Sequence, residues 1–72
     1  MDNKVIGKRL RLLRQEHGLS AKEAAKKANY IYRTMISWEE GKYRPSLDAL
    51  VIMADLYNVT LDYLVGRSEK RR

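Results

Sequence analysis

Few side chains in this sequence are of the kinds that perform covalent or metal chemistry. The chain has one histidine, His17, and no cysteine, so disulfides and thiolate metal sites are excluded and imidazole ligands are too few for a zinc site. His17 is explained by a favourable position near the carbonyl end of a helix. One histidine and a few scattered serines cannot supply a nucleophile, a base and an orienting group. We therefore expect no catalysis, no cofactor and no small-molecule substrate.

The other side chains that could bind a ligand are mainly the basic ones. Lysine and arginine together number 15 against 9 acidic residues, which gives a net charge of +6 over 72 residues. Residues 1–46 carry eleven basic and five acidic side chains, whereas residues 47–66 carry three acidic side chains and no basic one. One end of the molecule is thus basic and the other acidic. A basic region of this kind is typical of nucleic-acid-binding domains, although lysine-rich surfaces also serve solubility.

Composition and length indicate one small globular domain. The chain is 44% hydrophobic and 33% charged, and no apolar run approaches the roughly 20 residues that span a membrane. Its first residues contain no cleavage site of small residues, so they do not resemble a signal peptide. We expect a cytoplasmic protein with no membrane partner, a folded domain over residues 1–66 and a flexible basic tail over residues 67–72.

One stretch, "NYIYRTMISWEEGK", is too apolar for a single buried face. A short helix buries only residues spaced three or four apart, so part of this apolar set must point elsewhere. The excess residues either contact a ligand or partner, or they pack in an atypical core. They are Ile31, Tyr32 and Ile36.

Glycine, proline and helical periodicity divide the chain into five predicted helices at about residues 4–17, 21–27, 32–40, 47–57 and 61–65. The clearest start is a capping box, in which Ser20 and Glu23 bond each other's free amides. Asn29 and Asn58 suit the left-handed conformation that ends a helix. The periodicity also predicts a core made of Val5, Ile6, Leu10, Leu13, Ala24, Ala25, Ala28, Leu50, Met53, Ala54 and Tyr57.

Two short helices joined by a tight turn have helix-turn-helix geometry. The stretches "LSAKEAAKKANYIYRTMISWEEGKYRPSLDAL" and "LYNVTLDYLVG" resemble the Cro/CI-type domain of phage repressors and XRE regulators. Ala25 stands where that family has a small residue at the helix crossing, and Asn29 where it usually has glycine. The resemblance implies an all-α fold: a compact five-helix lambda-repressor-like domain in which Met35 and Trp38 are buried.

In that family the third helix lies in the DNA major groove. The resemblance therefore implies base contacts from its outward side chains. An arginine can donate two hydrogen bonds to guanine, and an isoleucine at a position that is usually polar can pack on a thymine methyl group. The implied base-contacting residues are Tyr32, Arg33, Ile36 and Ser37.

Phosphate contacts are implied for the exit loop and for the start of the second helix. Ile31 replaces the usual serine or threonine cap of the third helix, which leaves the first-turn amides free for a phosphate oxygen. Ala21 replaces the family's frequent glutamine, so one side-chain contact is missing. The implied phosphate-contacting residues are Ser20, Lys22, Ile31, Lys42, Tyr43 and Arg44.

The resemblance also implies a buried ion pair between Arg14 and Glu39, with two unrelated surface charges as the alternative. It implies a homodimer as well, which we assign to the acidic end of the chain. The alternative for Leu61 and Leu64 is that they close the core. The dimer residues predicted there are Leu56, Leu61, Tyr63, Leu64 and Val65.

These features together predict a sequence-specific transcriptional regulator. We expect a repressor that belongs to a bacterium or to its phage. It should bind double-stranded DNA as a homodimer on an inverted repeat. The alternative is a protein-interaction module on the same fold, such as an antitoxin or antirepressor, because fold alone does not decide function. The aromatic third helix favours the alternative, while the basic loop "GKYR" favours DNA.

Overall fold

The computed structural model describes all 72 residues as five helices with no strand. The predicted number and order of helices are confirmed, and no predicted helix end differs by more than one residue. None of the helices has the length and apolarity that crossing a bilayer requires. The helices are α1 (Asn3–Glu16), α2 (Ala21–Ala28), α3 (Tyr32–Glu39), α4 (Leu47–Tyr57) and α5 (Leu61–Leu64).

Local capping sets the lengths of α2 and α4. The Ser20 hydroxyl accepts a hydrogen bond from the Glu23 amide, and the Glu23 carboxylate accepts one from the Ser20 amide, so the capping box is complete. Ser46 caps α4 in the same way through the Ala49 amide. Asn29 and Asn58 end the two helices with φ angles of 62° and 57°. The chain therefore reverses sharply after each helix.

The core lies between α1 and the helices α3, α4 and α5 that pack against it, and α2 closes it by packing on α3 and α4. All the predicted core residues are buried except Val5, which is half-buried and packs against Gly66. A Cβ atom at Gly66 would approach Val5 Cγ1 to 2.9 Å. The periodicity predicted Val5 on the buried face of α1, and the structure shows this residue only half-buried. Met35 and Trp38 are buried as the resemblance implied. The core contains four more residues that the helical periodicity did not assign to it: Ala49, Tyr63, Leu64 and Val65.

The crossing of α1 and α3 depends on Gly7. A Cβ atom there would lie 2.5 Å from the Glu39 carbonyl oxygen and 2.6 Å from that of Trp38, distances that no side chain tolerates. Because glycine is disfavoured inside helices, its presence in α1 is a sequence signal for a close approach of another helix. The predictions made from the sequence did not include this approach. Gly7 brings the end of α3 directly against α1.

Residues 67–72 lie against α1 and α5. Arg9 donates hydrogen bonds to the Tyr63 and Ser68 carbonyl oxygens at 2.5 and 2.8 Å. Arg71 forms a two-bond ion pair with Glu16 at 2.6 and 3.0 Å, and its guanidinium lies 5.4 Å from the Tyr63 ring centre. Ion pairs at an exposed surface stabilise weakly, so the mobility that we predicted for the tail in solution stays a prediction.

Candidate nucleic-acid interface

Helices α2 and α3 are joined by the three residues 29–31. Asn29 reverses the chain, and the Tyr30 amide then bonds the Ala25 carbonyl oxygen at 2.8 Å. Ala25 is only 2% exposed, so its small side chain lies inside the helix pair. The rings of Tyr30 and Trp38 meet edge to face with their centres 4.9 Å apart, which adds aromatic packing between the turn and α3. This geometry is a helix-turn-helix.

The inner side of α3, formed by Met35, Trp38 and Glu39, anchors the helix. Met35 is completely buried and Trp38 is 5% exposed. Arg14 donates to both carboxylate oxygens of Glu39, at 2.7 and 2.9 Å, and a third time to the Leu19 carbonyl oxygen at 3.0 Å. Hydrogen bonding to Glu39 raises the pKa of the Arg14 guanidinium. The pair thus locks α3 to α1 in one orientation.

The outer side of α3, formed by Tyr32, Arg33, Ile36 and Ser37, holds the four predicted base-contacting residues. Tyr32 is 42% exposed and Arg33 is exposed, whereas Ile36 and Ser37 are half-buried. The Arg33 guanidinium takes part in no ion pair, so all its donors are available to a ligand. The Ser37 hydroxyl donates to the Arg33 carbonyl oxygen at 3.0 Å, and its own lone pairs can still accept.

The start of α3 is open to an anion. Ile31 occupies the N-cap position with its side chain 72% exposed and forms no side-chain cap. The first-turn amides therefore lack the acceptor that a serine or threonine would supply. Lys22 of α2 approaches this end of the helix, with its Nζ 5.5 Å from the Tyr32 ring centre. Free amides, the helix dipole and a lysine together favour an acidic oxygen at this point.

Ser20, the other residue that we predicted at the start of α2, is occupied within its own helix. Its hydroxyl accepts from the Glu23 amide at 3.1 Å, and its amide donates to Glu23 Oε1 at 2.9 Å. Hydrogen bonding from the Ser20 amide, followed by that from the Ser20 side chain, lowers the pKa of the Glu23 carboxyl. Ser20 is exposed, and the capping box uses its amide and one lone pair of its hydroxyl, so the hydroxyl proton can still be donated to a ligand.

All three predicted residues of the exit loop after α3 are exposed to solvent. Tyr43 is 68% exposed, and Lys42 makes only an exposed 3.5 Å contact with Glu40. Arg44 behaves differently, because its guanidinium donates to Asn3 Oδ1 at 2.8 Å and to the Met1 carbonyl oxygen at 2.5 Å. The structure therefore uses Arg44 to tie the loop to the start of α1.

A shallow cleft of about 260 Å³ runs between α1 and α3, lined by Arg11, Arg14, Ile36, Glu39 and Glu40. Arg11 was not among the predicted site residues. Its position outside the apolar stripe of α1, three residues before Arg14, is the signal that places it on the α3 side. Arg11 adds an exposed cation beside Ile36.

The structure divides the five predicted dimer residues into two groups. Tyr63, Leu64 and Val65 are 6%, 0% and 8% exposed and belong to the core of the chain itself. Leu56 and Leu61 are half-buried and pack at the edge of that core. Leu64 thus closes the core, which was the alternative considered for it.

Comparisons with known proteins agree with this geometry. A family model described as helix-turn-helix matches residues 10–64. The chain is 41% identical over 64 residues to the HTH-type transcriptional regulator ImmR of Bacillus subtilis, covering 89% of this chain and 50% of ImmR. It is 36% identical over 64 residues to the HTH-type transcriptional regulator AnsR of the same organism, covering 89% of this chain and 55% of AnsR.

A third relative has a length closer to that of this chain. An uncharacterised HTH-type transcriptional regulator of Archaeoglobus fulgidus is 34% identical over 56 residues, which cover 78% of this chain and 80% of the relative. The chain spans about half the length of ImmR and AnsR. The matched residues include all of α2, α3 and α4. The chain therefore belongs to the XRE-type helix-turn-helix family of DNA-binding transcriptional regulators.

Proposed function

We propose that the outer side of α3 binds base edges in the major groove of double-stranded DNA. The observation that carries this proposal is the contrast between Arg14, which holds the inner side of α3, and Arg33 on its outer side. Arg14 makes three hydrogen bonds within the chain, whereas Arg33 is exposed and has no ion-pair partner. A free guanidinium on a rigidly held helix is suited to donate twice to guanine O6 and N7.

Groups suited to bind phosphate lie at both ends of α3 and support the proposal that this helix lies in the major groove. Ile31 leaves the first-turn amides open and Lys22 lies beside them, so we assign one phosphate to this end. We assign another to the exposed Lys42 and Tyr43 of the exit loop. Ser20 and Arg44 are engaged within the chain, but the Ser20 hydroxyl proton and the remaining N–H groups of Arg44 can still be donated to phosphate. Phosphate contacts would fix the register of the helix in the groove.

We further propose that the chain is a cytoplasmic repressor of a bacterium or of its phage and binds an inverted repeat as a homodimer. A two-fold dimer places its recognition helices about 34 Å apart, one turn of the duplex. Of the acidic-end residues that we assigned to self-association, Leu56 and Leu61 keep exposed surface and are the candidates for that contact. Tyr63, Leu64 and Val65 would support them from beneath.

A second candidate function uses the same surface for a protein partner. Ile31 is 72% exposed and Tyr43 is 68% exposed, and aromatic side chains are enriched in protein interfaces. A protein-binding α3 would identify the chain as an antitoxin or antirepressor. The net basic charge of residues 1–46 favours DNA over this candidate.

Two substitutions test the proposal. Arg33→Ala is expected to weaken binding to a selected duplex by about 1–3 kcal/mol and to relax preference at one base position, because it removes a base contact. Lys42→Ala is expected to weaken binding to all duplexes equally and to lower the salt slope by about one unit, because it removes a phosphate contact. Fluorescence anisotropy at several salt concentrations measures both quantities. If neither substitution changes DNA affinity, the groove model is wrong and the protein-binding candidate takes its place.

A further inference from the structure

Helix α4 presents an apolar strip to solvent that folding does not use. Leu47, Val51 and Ile52 are 65%, 44% and 40% exposed. The opposite side of the same helix supplies five buried residues to the core, so α4 is already anchored without this strip. A contiguous apolar patch on a small domain marks an interaction surface more often than a chance arrangement.

Two carboxylates complete this face. Residues 47, 48, 51, 52 and 55 lie on one side of a helix because they are spaced by one, four, five and eight positions. Asp48 and Asp55 are exposed, and neither forms an ion pair. We call these five residues the α4 outer face: Leu47, Asp48, Val51, Ile52 and Asp55.

The charge of this face restricts what can cover it. No lysine or arginine occurs between residues 47 and 66, so nothing in α4 or α5 neutralises the two carboxylates. Nucleic acid is repelled by that charge. A second copy packed on this face by two-fold symmetry would bring the Asp48 and Asp55 carboxylates of the two copies close together, and like charges at an interface are unfavourable. A partner with apolar and cationic side chains satisfies both properties of the face.

The spacing indicates the shape of that partner. Leu47, Val51 and Asp55 form one ridge along α4, and Asp48 and Ile52 form the adjacent ridge, with a groove between them. A helix with apolar residues at i, i+3, i+4 and i+7 fits such a groove. We infer that the α4 outer face binds a basic amphipathic helix of another protein, with its apolar side on Val51 and Ile52 and its cations beside Asp48 and Asp55.

The inference can be tested without DNA and independently of the proposed function. The probe is a synthetic helical peptide with leucine along one side and lysine on the other, and its control carries glutamate in place of lysine. Titration of the isotope-labelled full chain by NMR is expected to shift the amides of residues 47–56. The glutamate peptide should bind at least about tenfold more weakly, a difference of about 1.4 kcal/mol.

Matched variants locate the contact. Val51→Lys should weaken binding of the lysine peptide by about tenfold or more, through lost apolar contact and added repulsion. Leu12→Lys on α1 makes the same kind of change at an equally exposed position, since both side chains are 44% exposed, and should bind like the unmodified chain. Val51→Ala is used if Val51→Lys lowers the helix content, and Asp48→Asn with Asp55→Asn should reduce the salt dependence of binding.

Three results would overturn the inference. The first is equal binding of the lysine and glutamate peptides. The second is an equal loss of affinity in Leu12→Lys and Val51→Lys. The third is a chain that sediments as a dimer by itself and becomes monomeric with Val51→Lys, because the face is then covered by a second copy.

Discussion

The two sides of α3 differ in what happens to their polar groups. On the inner side the Glu39 carboxylate is 4% exposed and accepts two hydrogen bonds from Arg14. On the outer side the Arg33 guanidinium is exposed and has no ion-pair partner. The comparison shows that a charge whose bonds are completed within the chain positions the helix, whereas a charge left open on the same helix is available to a ligand.

The inner side must be strong because α3 is short. A helix of eight residues is not stable by itself in water, so tertiary contacts must hold it. Met35 and Trp38 supply burial, Gly7 permits the close approach of α1, and Arg14 with Glu39 sets the rotation. The outer side contributes little to holding the helix in place. Substitutions on the two sides should therefore change different measured quantities.

The largest effect is expected on the inner side. Glu39→Ala leaves the Arg14 guanidinium buried without its carboxylate and should lower the free energy of unfolding by about 3–5 kcal/mol. Urea denaturation followed by the fluorescence of Trp38, the only tryptophan, measures this quantity. The matched control is Glu40→Ala, whose carboxylate is exposed and should contribute less than about 1 kcal/mol. Equal losses in the two variants would mean that the Arg14–Glu39 pair is not the anchor.

Arg33→Ala is the converse test on the outer side. Because the side chain is exposed and unpaired, its removal should change the free energy of unfolding by no more than about 0.5 kcal/mol. The same variant should lose about 1–3 kcal/mol of DNA-binding free energy. A variant that loses stability but keeps its DNA affinity would reverse the roles assigned to the two sides.

A smaller effect on stability is expected at a buried hydroxyl near the Arg14–Glu39 pair. The Tyr57 hydroxyl is buried without a hydrogen-bond partner, and Tyr57→Phe should raise the free energy of unfolding by about 1 kcal/mol. Burial, followed by the nearby Glu39 charge, raises the pKa of Tyr57 to about 12.

The raised pKa of Tyr57 adds a pH dependence to this prediction. The unfolded chain loses the phenol proton near pH 10, before the folded chain does, so the native state loses stability as the pH rises above 10. The advantage of Tyr57→Phe should therefore grow between pH 9 and pH 11 in denaturant titrations. An advantage that shrinks over this range would contradict the burial of the hydroxyl.

The smallest effect concerns the start of α2, which carries the turn before α3. The pKa of Glu23 is lowered from 4.5, so its stabilising contribution is present above that value and is lost as the pH falls through the lower folded pKa. Unfolding midpoints of the unmodified chain and Glu23→Gln should differ at pH 7, and the difference should shrink as the pH is lowered below 4.5. A difference that stays constant between these pH values would mean that the carboxylate does not cap the helix.

Helices and core were predictable because their signals are local. The capping box, the two left-handed asparagines and the apolar spacing each depend on neighbours within about four residues, and the structure follows them closely. Val5 shows the limit, because local spacing predicts a buried residue, whereas in the fold it is half-buried beside Gly66, which is remote in sequence. Gly7 shows the same limit for the crossing of α1 and α3.

The candidate site was predictable only in part, because its availability depends on tertiary partners. The sequence places Arg33, Lys42 and Arg44 in one basic stretch, but only the fold shows that Arg44 is held by Asn3 and the Met1 carbonyl. Similarly, Arg9 and Arg71 are basic residues of the kind expected to face DNA, yet they contact Tyr63 and acidic side chains. The net charge of the sequence includes all of these basic residues. Only the tertiary structure shows which of them are unpaired and available to DNA.

Selection of bound duplexes from a random DNA pool at physiological salt tests most directly whether the outer side of α3 recognises sequence. The account predicts enrichment of an inverted repeat whose half-sites are centred about 34 Å apart, with a guanine whose preference is lost in Arg33→Ala. A pool that stays random would show that the basic surface binds only the DNA backbone, and this would contradict the recognition role assigned to α3.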